Sequence, residues 1–282
     1  MTDATLVRAD SPAHFFERCG PFLRETEAEH NLILGLAGAL LTGDHDYAPP
    51  IYLGWAERDG GVVGIVFRTP PYKVSVGTIP AEVIPDLVAD LEATYSQIPA
   101  VMGPPETART VAAMWAERKG AGLRAGPTLR IHALSQVRDG LPTVPGHLRL
   151  ADLDEQPLVR NWLRAFEDET GIPGVDPGAA ATRMITERQL YVWDDGGPAC
   201  MTAALGATPT AMRVGYVYTP PDRRGSGYAT AAVATLSALV LATGRRSLFL
   251  YTDLANPVSN RIYARIGYEP VVDVSDFEIV ER

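Results

Sequence analysis

Hydrophobic and polar positions change period several times along the 282 residues, and each change marks an element. Apolar and polar residues alternate from Met212 to Thr219, which predicts a half-buried strand, and Tyr228 to Ala242 takes up the spacing of an amphipathic helix. The run Ser247-Leu248-Phe249-Leu250-Tyr251-Thr252 is apolar enough for a buried central strand. A helix after it is marked at both ends, by Asn256 as N-cap with Pro257 at the first helical position, and by Gly267 at C′. On that helix Asn256, Ser259, Asn260 and Tyr263 share one face, and Val258, Ile262 and Ile266 form an apolar stripe beside it. Upstream, Leu158 to Thr170 reads as a further helix.

The pattern occurs twice. Leu6-Val7-Arg8-Ala9-Asp10 is matched by Leu148-Arg149-Leu150-Ala151-Asp152, and a long helical stretch follows each. Asp59-Gly60-Gly61 and Asp195-Gly196-Gly197 each separate two strand-like runs: Ile51 to Glu57 and Val62 to Thr69 in one half, Leu190 to Asp194 and Ala199 to Leu205 in the other. An offset of about 140 residues reads as tandem duplication rather than a solenoid. The Pro- and Gly-rich segment 138–147 lacks periodicity and reads as the linker. The domains expected are therefore 1–137 and 148–282.

Composition then narrows the classes. With 46% hydrophobic and 21% charged residues the chain is globular in character, and its apolar runs are too short to cross a bilayer. Met1-Thr2-Asp3-Ala4 begins no signal peptide, so a cytoplasmic protein is expected. Cys19 and Cys200 lie far apart, which predicts buried thiols rather than a disulfide framework. His14, His30, His45, His132 and His147 form no ligand pattern, so no metal is expected. The net charge of −9 opposes nucleic acid and anionic membranes as partners. Against it, residues 223–265 carry six arginines and only Asp253 as an acid, which reads as an arginine cluster around a polyanion.

The polyanion site is expected at Arg223-Arg224-Gly225-Ser226-Gly227-Tyr228-Ala229, between the alternating strand and the helix. Two glycines at such a turn let successive backbone N–H groups converge, with the positive end of a helix dipole behind them. Thr230 stands where a dinucleotide fingerprint needs a small residue, and no P-loop Gly-Lys-Ser/Thr follows, so those two readings weaken. The corresponding stretch of the first half, Val76 to Asp86, lacks the glycine pair and puts Glu82 and Asp86 at its helix start, where they repel phosphate.

Together these segments resemble the GNAT superfamily of acyl-CoA-dependent N-acetyltransferases. Val217 to Ala229 is similar to its pyrophosphate motif Q/R-x-x-G-x-G/A, and Asn256-Pro257 through Tyr263 and Gly267-Tyr268 to its later signature. The resemblance implies an α/β (α+β) fold of two tandem domains, each a mixed, mostly antiparallel sheet flanked by helices, with the first copy degenerate. It also implies acetyl-CoA as co-substrate. Backbone amides of Arg224, Gly225, Ser226, Gly227, Tyr228 and Ala229 would hold the pyrophosphate, the Val217 and Thr219 backbone would pair with pantetheine in a strand splay, and Asn256 and Asn260 would fix the pantetheine arm. Tyr263 would protonate the departing thiolate. With Pro105 set on Pro257, the first copy has Val111 in its place, without a hydroxyl.

The reaction implied is direct attack of an amine on the thioester, its tetrahedral oxyanion held by a backbone N–H near Val217. The candidate base is Glu167, on a helix that also carries Asp168 and Glu169, with Asp253 a lesser candidate, while a water relay or merely solvated carboxylates compete with that reading. A small-molecule or peptide amine acceptor follows, and a homodimer is compatible. Two other functions stay open, a non-catalytic acyl-CoA-binding sensor or scaffold, and a nucleotide-binding α/β protein.

Overall fold

The computed structural model describes residues 3–44, 47–171 and 176–281; of the residues named above, Met1, Thr2 and His45 lie outside them. In chain order the elements are β1 (Thr5–Arg8), α1 (Pro12–Glu25), α2 (Asn31–Thr42), β2 (Tyr52–Arg58), β3 (Gly61–Arg68), β4 (Val74–Val76), α3 (Ile84–Thr94), β5 (Ala100–Gly103), α4 (Pro105–Lys119) and β6 (Gly122–Leu134). There follow β7 (His147–Leu150), α5 (Gln156–Thr170), α6 (Pro177–Thr186), β8 (Leu190–Asp194), β9 (Pro198–Leu205), β10 (Ala211–Tyr218), α7 (Tyr228–Ala242), β11 (Ser247–Asp253), α8 (Pro257–Ile266) and β12 (Glu269–Val280). The order β-α-α-β-β-β-α-β-α-β is run through twice.

Packing divides the chain less simply than sequence does. One compact unit comprises Met1–Ile131, Thr252–Asn256 and Val271–Arg282, and the other His132–Tyr251 with Pro257–Pro270. In the first, the strand order is β1-β2-β3-β4-β5-β12-β6, so the last strand of the chain lies between two strands of the N-terminal half. β12 runs antiparallel to β5, with Ser275 opposite Gly103 and Glu278 opposite Ala100. β4 and β5 run parallel to each other, Val74 opposite Val101. In the second unit the order is β11-β10-β9-β8-β7, with the β10–β11 pair parallel and the remainder antiparallel.

Local sequence explains the hairpins. Asp59 and Gly60, at φ 50° and 76°, make the tight turn between β2 and β3. Between β8 and β9 the Asp194 carboxylate accepts a hydrogen bond from the Gly197 amide at 2.8 Å. Each unit packs helices against its sheet. In the first, Tyr52, Val66, Leu87, Leu91, Val111 and Trp115 share one core, and Phe15, Leu23, Ile33 and Trp55 another. In the second, Val214, Val233, Leu236, Leu250, Tyr263 and Tyr268 form one core and Val159, Leu163, Met184 and Met201 another.

Two expectations need correction. α7 is not amphipathic: Tyr228, Ala232, Val233, Ala234, Leu236, Ser237 and Val240 are all buried, so its inward surface covers most of the circumference. A helix packed on several sides needs no polar stripe. The expected linker lacks regular structure between Gln136 and Gly146 yet is pinned to the second unit, where the Trp193 indole donates to the Pro145 carbonyl at 2.8 Å and the Arg138 amide to the Ile266 carbonyl at 2.9 Å. Cys19 and Cys200 are free and buried, as expected.

Candidate active site

The site begins with a strand that leaves its neighbour. β10 pairs with β11 only through Ala211–Arg213 against Ser247–Phe249, and from Val214 to Tyr218 that edge has no strand partner among the described residues. On its other edge β10 stays on β9 but slips by one residue, Gly215 facing Ala203 and Tyr218 facing Met201. The surplus residue is Tyr216, at φ 51°, a left-handed conformation rare for a bulky side chain. Such a bulge bends a strand and raises its twist, which accounts for the parting of β10 from β11. Among the described residues the first unit shows no such opening between β4 and β5. β4 ends at Val76, and a Cβ on Gly103 would come within 2.3 Å of the Val76 carbonyl, so β5 presses directly on β4.

β10 leads into the glycine turn. Gly225 and Gly227 have φ of 80° and 85°, and Gly227 is the N-cap of α7. Among the described residues, the amides of 225–230 donate to no protein acceptor; the first amide to do so is that of Ala231, to the Gly227 carbonyl at 3.1 Å. Six consecutive N–H groups at the positive end of a 15-residue helix form an anion cradle. Residues 221–227 are exposed, Ala229 and Thr230 are half-buried, and Tyr228 is buried and donates its hydroxyl hydrogen to Asp195.

Tyr263 lies on α8 in the same core as Val214 and Val217 of the parted strand. Its ring meets Tyr268 edge-on at 5.9 Å, and Tyr268 is itself held by a 2.9 Å hydrogen bond with Ser237. Burial raises the Tyr263 phenol above its ordinary range, with a smaller contribution from Cys200. No side-chain hydrogen bond of its hydroxyl occurs among the described residues. Across neutral pH this group is therefore a protonated donor. The Cys200 thiol, on β9, is pushed up to about 12 by burial and is affected by Thr219, whose hydroxyl oxygen is buried without hydrogen-bond geometry to any group.

The remaining site residues are distributed as follows. Asn260 is half-buried on α8, one turn before Tyr263, and is grouped with it in the second unit. Asn256 is exposed and grouped with the first unit, its amide donating to the Asp253 carbonyl at 3.0 Å. The Asp253 carboxylate accepts from the Ala255 amide at 2.8 Å, which commits it to the turn. The Thr219 carbonyl accepts from Arg224 Nε at 2.9 Å. Glu167 is half-buried on α5, and burial raises its carboxyl above the usual range, with Asp168 reinforcing and Arg164 opposing.

One face of α5 contacts the end of β10 and the turn at three points. Trp162 meets Tyr218 at 6.2 Å between ring centroids, and Phe166 meets Tyr216 at 5.6 Å. One turn further on, both carboxylate oxygens of Glu169 accept from Arg224 Nη2 at 2.7 Å. The Arg224–Glu169 pair was not foreseen. The helical spacing 162, 166, 169 was legible, but nothing in it identified the facing strand.

The arginine cluster is corrected too. Arg245 and Arg246 follow the far end of α7, some 22 Å from Gly227 at about 1.5 Å per residue, where Arg245 donates to the Thr208 carbonyl at 2.7 Å. Arg261 donates to the Pro257 carbonyl within α8. Arg223 and Arg224 stand at the turn itself. In the first unit, Glu82 precedes α3 and pairs with Arg58, and Val111 is wholly buried.

With this geometry in hand, similarity to known proteins is informative. Residues 199–275 match the family model described as FR47-like protein. No curated protein matches the chain. Among solved structures, a Drosophila protein is similar over 98% of both chains at 12% identity, TM-score 0.71. A GCN5-related N-acetyltransferase from Sphaerobacter thermophilus is similar over 98% of this chain and 96% of its own at 17% identity, TM-score 0.59. A tandem GNAT protein from the clavulanic acid biosynthesis pathway is similar over 99% and 98% at 16% identity, TM-score 0.53. The doubled element order, the parted strand and the amide cradle thus come together in a chain that has the tandem fold of the GNAT superfamily, with an FR47-like segment in its second copy.

Proposed function

We propose that this protein is an acetyl-CoA-dependent N-acetyltransferase whose active copy is the second, moving an acetyl group to a primary amine by direct attack in a ternary complex. The observation that carries the reading is the run of six amides at 225–230 that donate to no protein acceptor. A diphosphate supplies the acceptors such a turn lacks. The parted edge of β10 supports the same ligand, since an extended amide-containing arm adds to an open strand edge by main-chain hydrogen bonds.

Acetyl-CoA supplies the activated acyl group as a thioester; the protein's part is positioning and proton transfer. In this reading the amides of 225–230 hold the diphosphate, the Arg224 amide being already given to the Pro221 carbonyl, while Val217 and the Thr219 amide hold the pantetheine arm and Asn260 steadies it. A backbone N–H near Val217 faces the charge that develops on the carbonyl oxygen. Glu167, its carboxyl raised by burial, takes a proton from the acceptor's ammonium so that the neutral amine attacks the thioester carbonyl, and Tyr263 gives its proton to the departing thiolate. Alignment of two reactants supplies up to roughly 7–11 kcal/mol and acid–base groups about 10²- to 10⁴-fold, so positioning dominates. Both cysteines are buried with raised pKa, which favours direct attack over an acyl-cysteine route.

The test is release of free thiol from acetyl-CoA in the presence of a pool of primary amines. Amine-dependent release supports the reading, whereas CoA binding without release under any amine would make the protein a sensor or scaffold.

A further inference from the structure

Arg224 stands in the cradle sequence, yet its side chain is engaged elsewhere. Nη2 lies 2.7 Å from each carboxylate oxygen of Glu169, and Nε donates to the Thr219 carbonyl at 2.9 Å. The guanidinium also lies 5.8 Å from the centre of the Tyr218 ring. Both partners of the ion pair are half exposed, at 47% each, so solvent and a competing anion can reach them. Glu169 is the third contact of the α5 face that rests on β10 through Trp162 and Phe166. A diphosphate held by the amides of 225–230 would present anionic oxygens beside this arginine and compete with Glu169 for the Nη2 hydrogens, both of which the carboxylate now takes.

We propose that Glu169 is a built-in competitor of the cofactor diphosphate for Arg224, tying the end of α5 to the anion turn until the ligand displaces it. Glu169 is a positioning residue: it acts through Arg224 and touches no reacting atom. The inference rests on the proposed use of the turn as a diphosphate site. Diphosphate binding exchanges the carboxylate partner of Arg224 for a phosphate and frees the last turn of α5 from the anion turn, leaving the Trp162 and Phe166 contacts with β10 in place. Through linkage, whatever holds α5 in place weakens the diphosphate, and the reverse.

The test compares the whole protein with Glu169→Gln and Glu169→Asp, titrated calorimetrically with CoA and with pantetheine, which lacks the diphosphate. A half-exposed ion pair contributes about 0.4–1 kcal/mol at the upper part of its usual range, so Glu169→Gln should bind CoA about two- to fivefold more tightly, with pantetheine unchanged and Glu169→Asp close to the parent. A merely structural role for Glu169 predicts weaker CoA binding in Glu169→Gln, and that result, or equal tightening toward pantetheine, would overturn the proposal. If the parent itself fails to bind CoA, the diphosphate site falls and this inference with it; if the parent binds and Glu169→Gln gains nothing, only the inference falls.

Discussion

Gly227 and Val144 approach so closely that a Cβ on the glycine would stand 3.1 Å from Val144 Cγ1. The same glycine has φ 85°, a conformation that β-branched residues rarely adopt. Gly227→Val is therefore strained in itself and displaces the amides it helps to aim. It should lose about 1–3 kcal/mol of stability in urea unfolding and at least tenfold in CoA affinity by calorimetry. Gly225→Ala, where nothing lies within 4 Å of the added carbon, isolates the conformational part and should have the smaller effect.

Tyr263→Phe removes one hydroxyl from a site whose ring packing Tyr268 maintains. The expected result is a fall in kcat of about 10²-fold or more with CoA affinity nearly unchanged, read by steady-state kinetics beside calorimetry. Equal turnover would remove Tyr263 as the acid.

His30 gives the fold an acid-sensitive point in the first unit. Burial lowers its pKa from 6.5 to about 4, and it packs on Phe22 at 5.2 Å. A folded-state value below the unfolded one means that its contribution is complete above pH 6.5 and is lost as pH falls toward 4. The loss amounts to roughly 3 kcal/mol across that window. His30→Phe should flatten this part of the stability profile in urea titrations at successive pH values.

The two thiols should be inert in the native protein. Burial pushes Cys19 and Cys200 each up to about 12, so thiolate is scarce at pH 8. Native protein is expected to react with a thiol reagent only as fast as it opens, and urea should expose both together with the unfolding transition.

Much of this site was legible in the sequence, for reasons that differ from residue to residue. Gly225 and Gly227 announced a turn because positive φ has few other tenants, and both adopt it. α7 and α8 begin where the glycine and proline signals put them, at Tyr228 and Pro257. The doubled Asp-Gly-Gly hairpins pointed to a repeat, and the element order repeats. Pairing between distant segments was hidden. β12 lies beside β5 rather than within its own half, because strand partners are chosen by packing and register, which single-strand pattern does not encode. The bulge at Tyr216 left no mark either, since a tyrosine is a poor advertisement for a left-handed backbone. Arg245 and Arg246 misled for a simpler reason, closeness in sequence being separation in space along a helix of 15 residues.

In the proposed function, main-chain donors at 225–230 hold the diphosphate of an acyl-CoA, and the corresponding stretch of the first copy does not. Hydrogen–deuterium exchange with and without CoA reads those amides directly. Strong slowing at 225–230, with residues 76–86 of the first copy unchanged, is the result this account predicts. Saturating CoA that leaves 225–230 exchanging at the free rate, or that protects 76–86 instead, would contradict it.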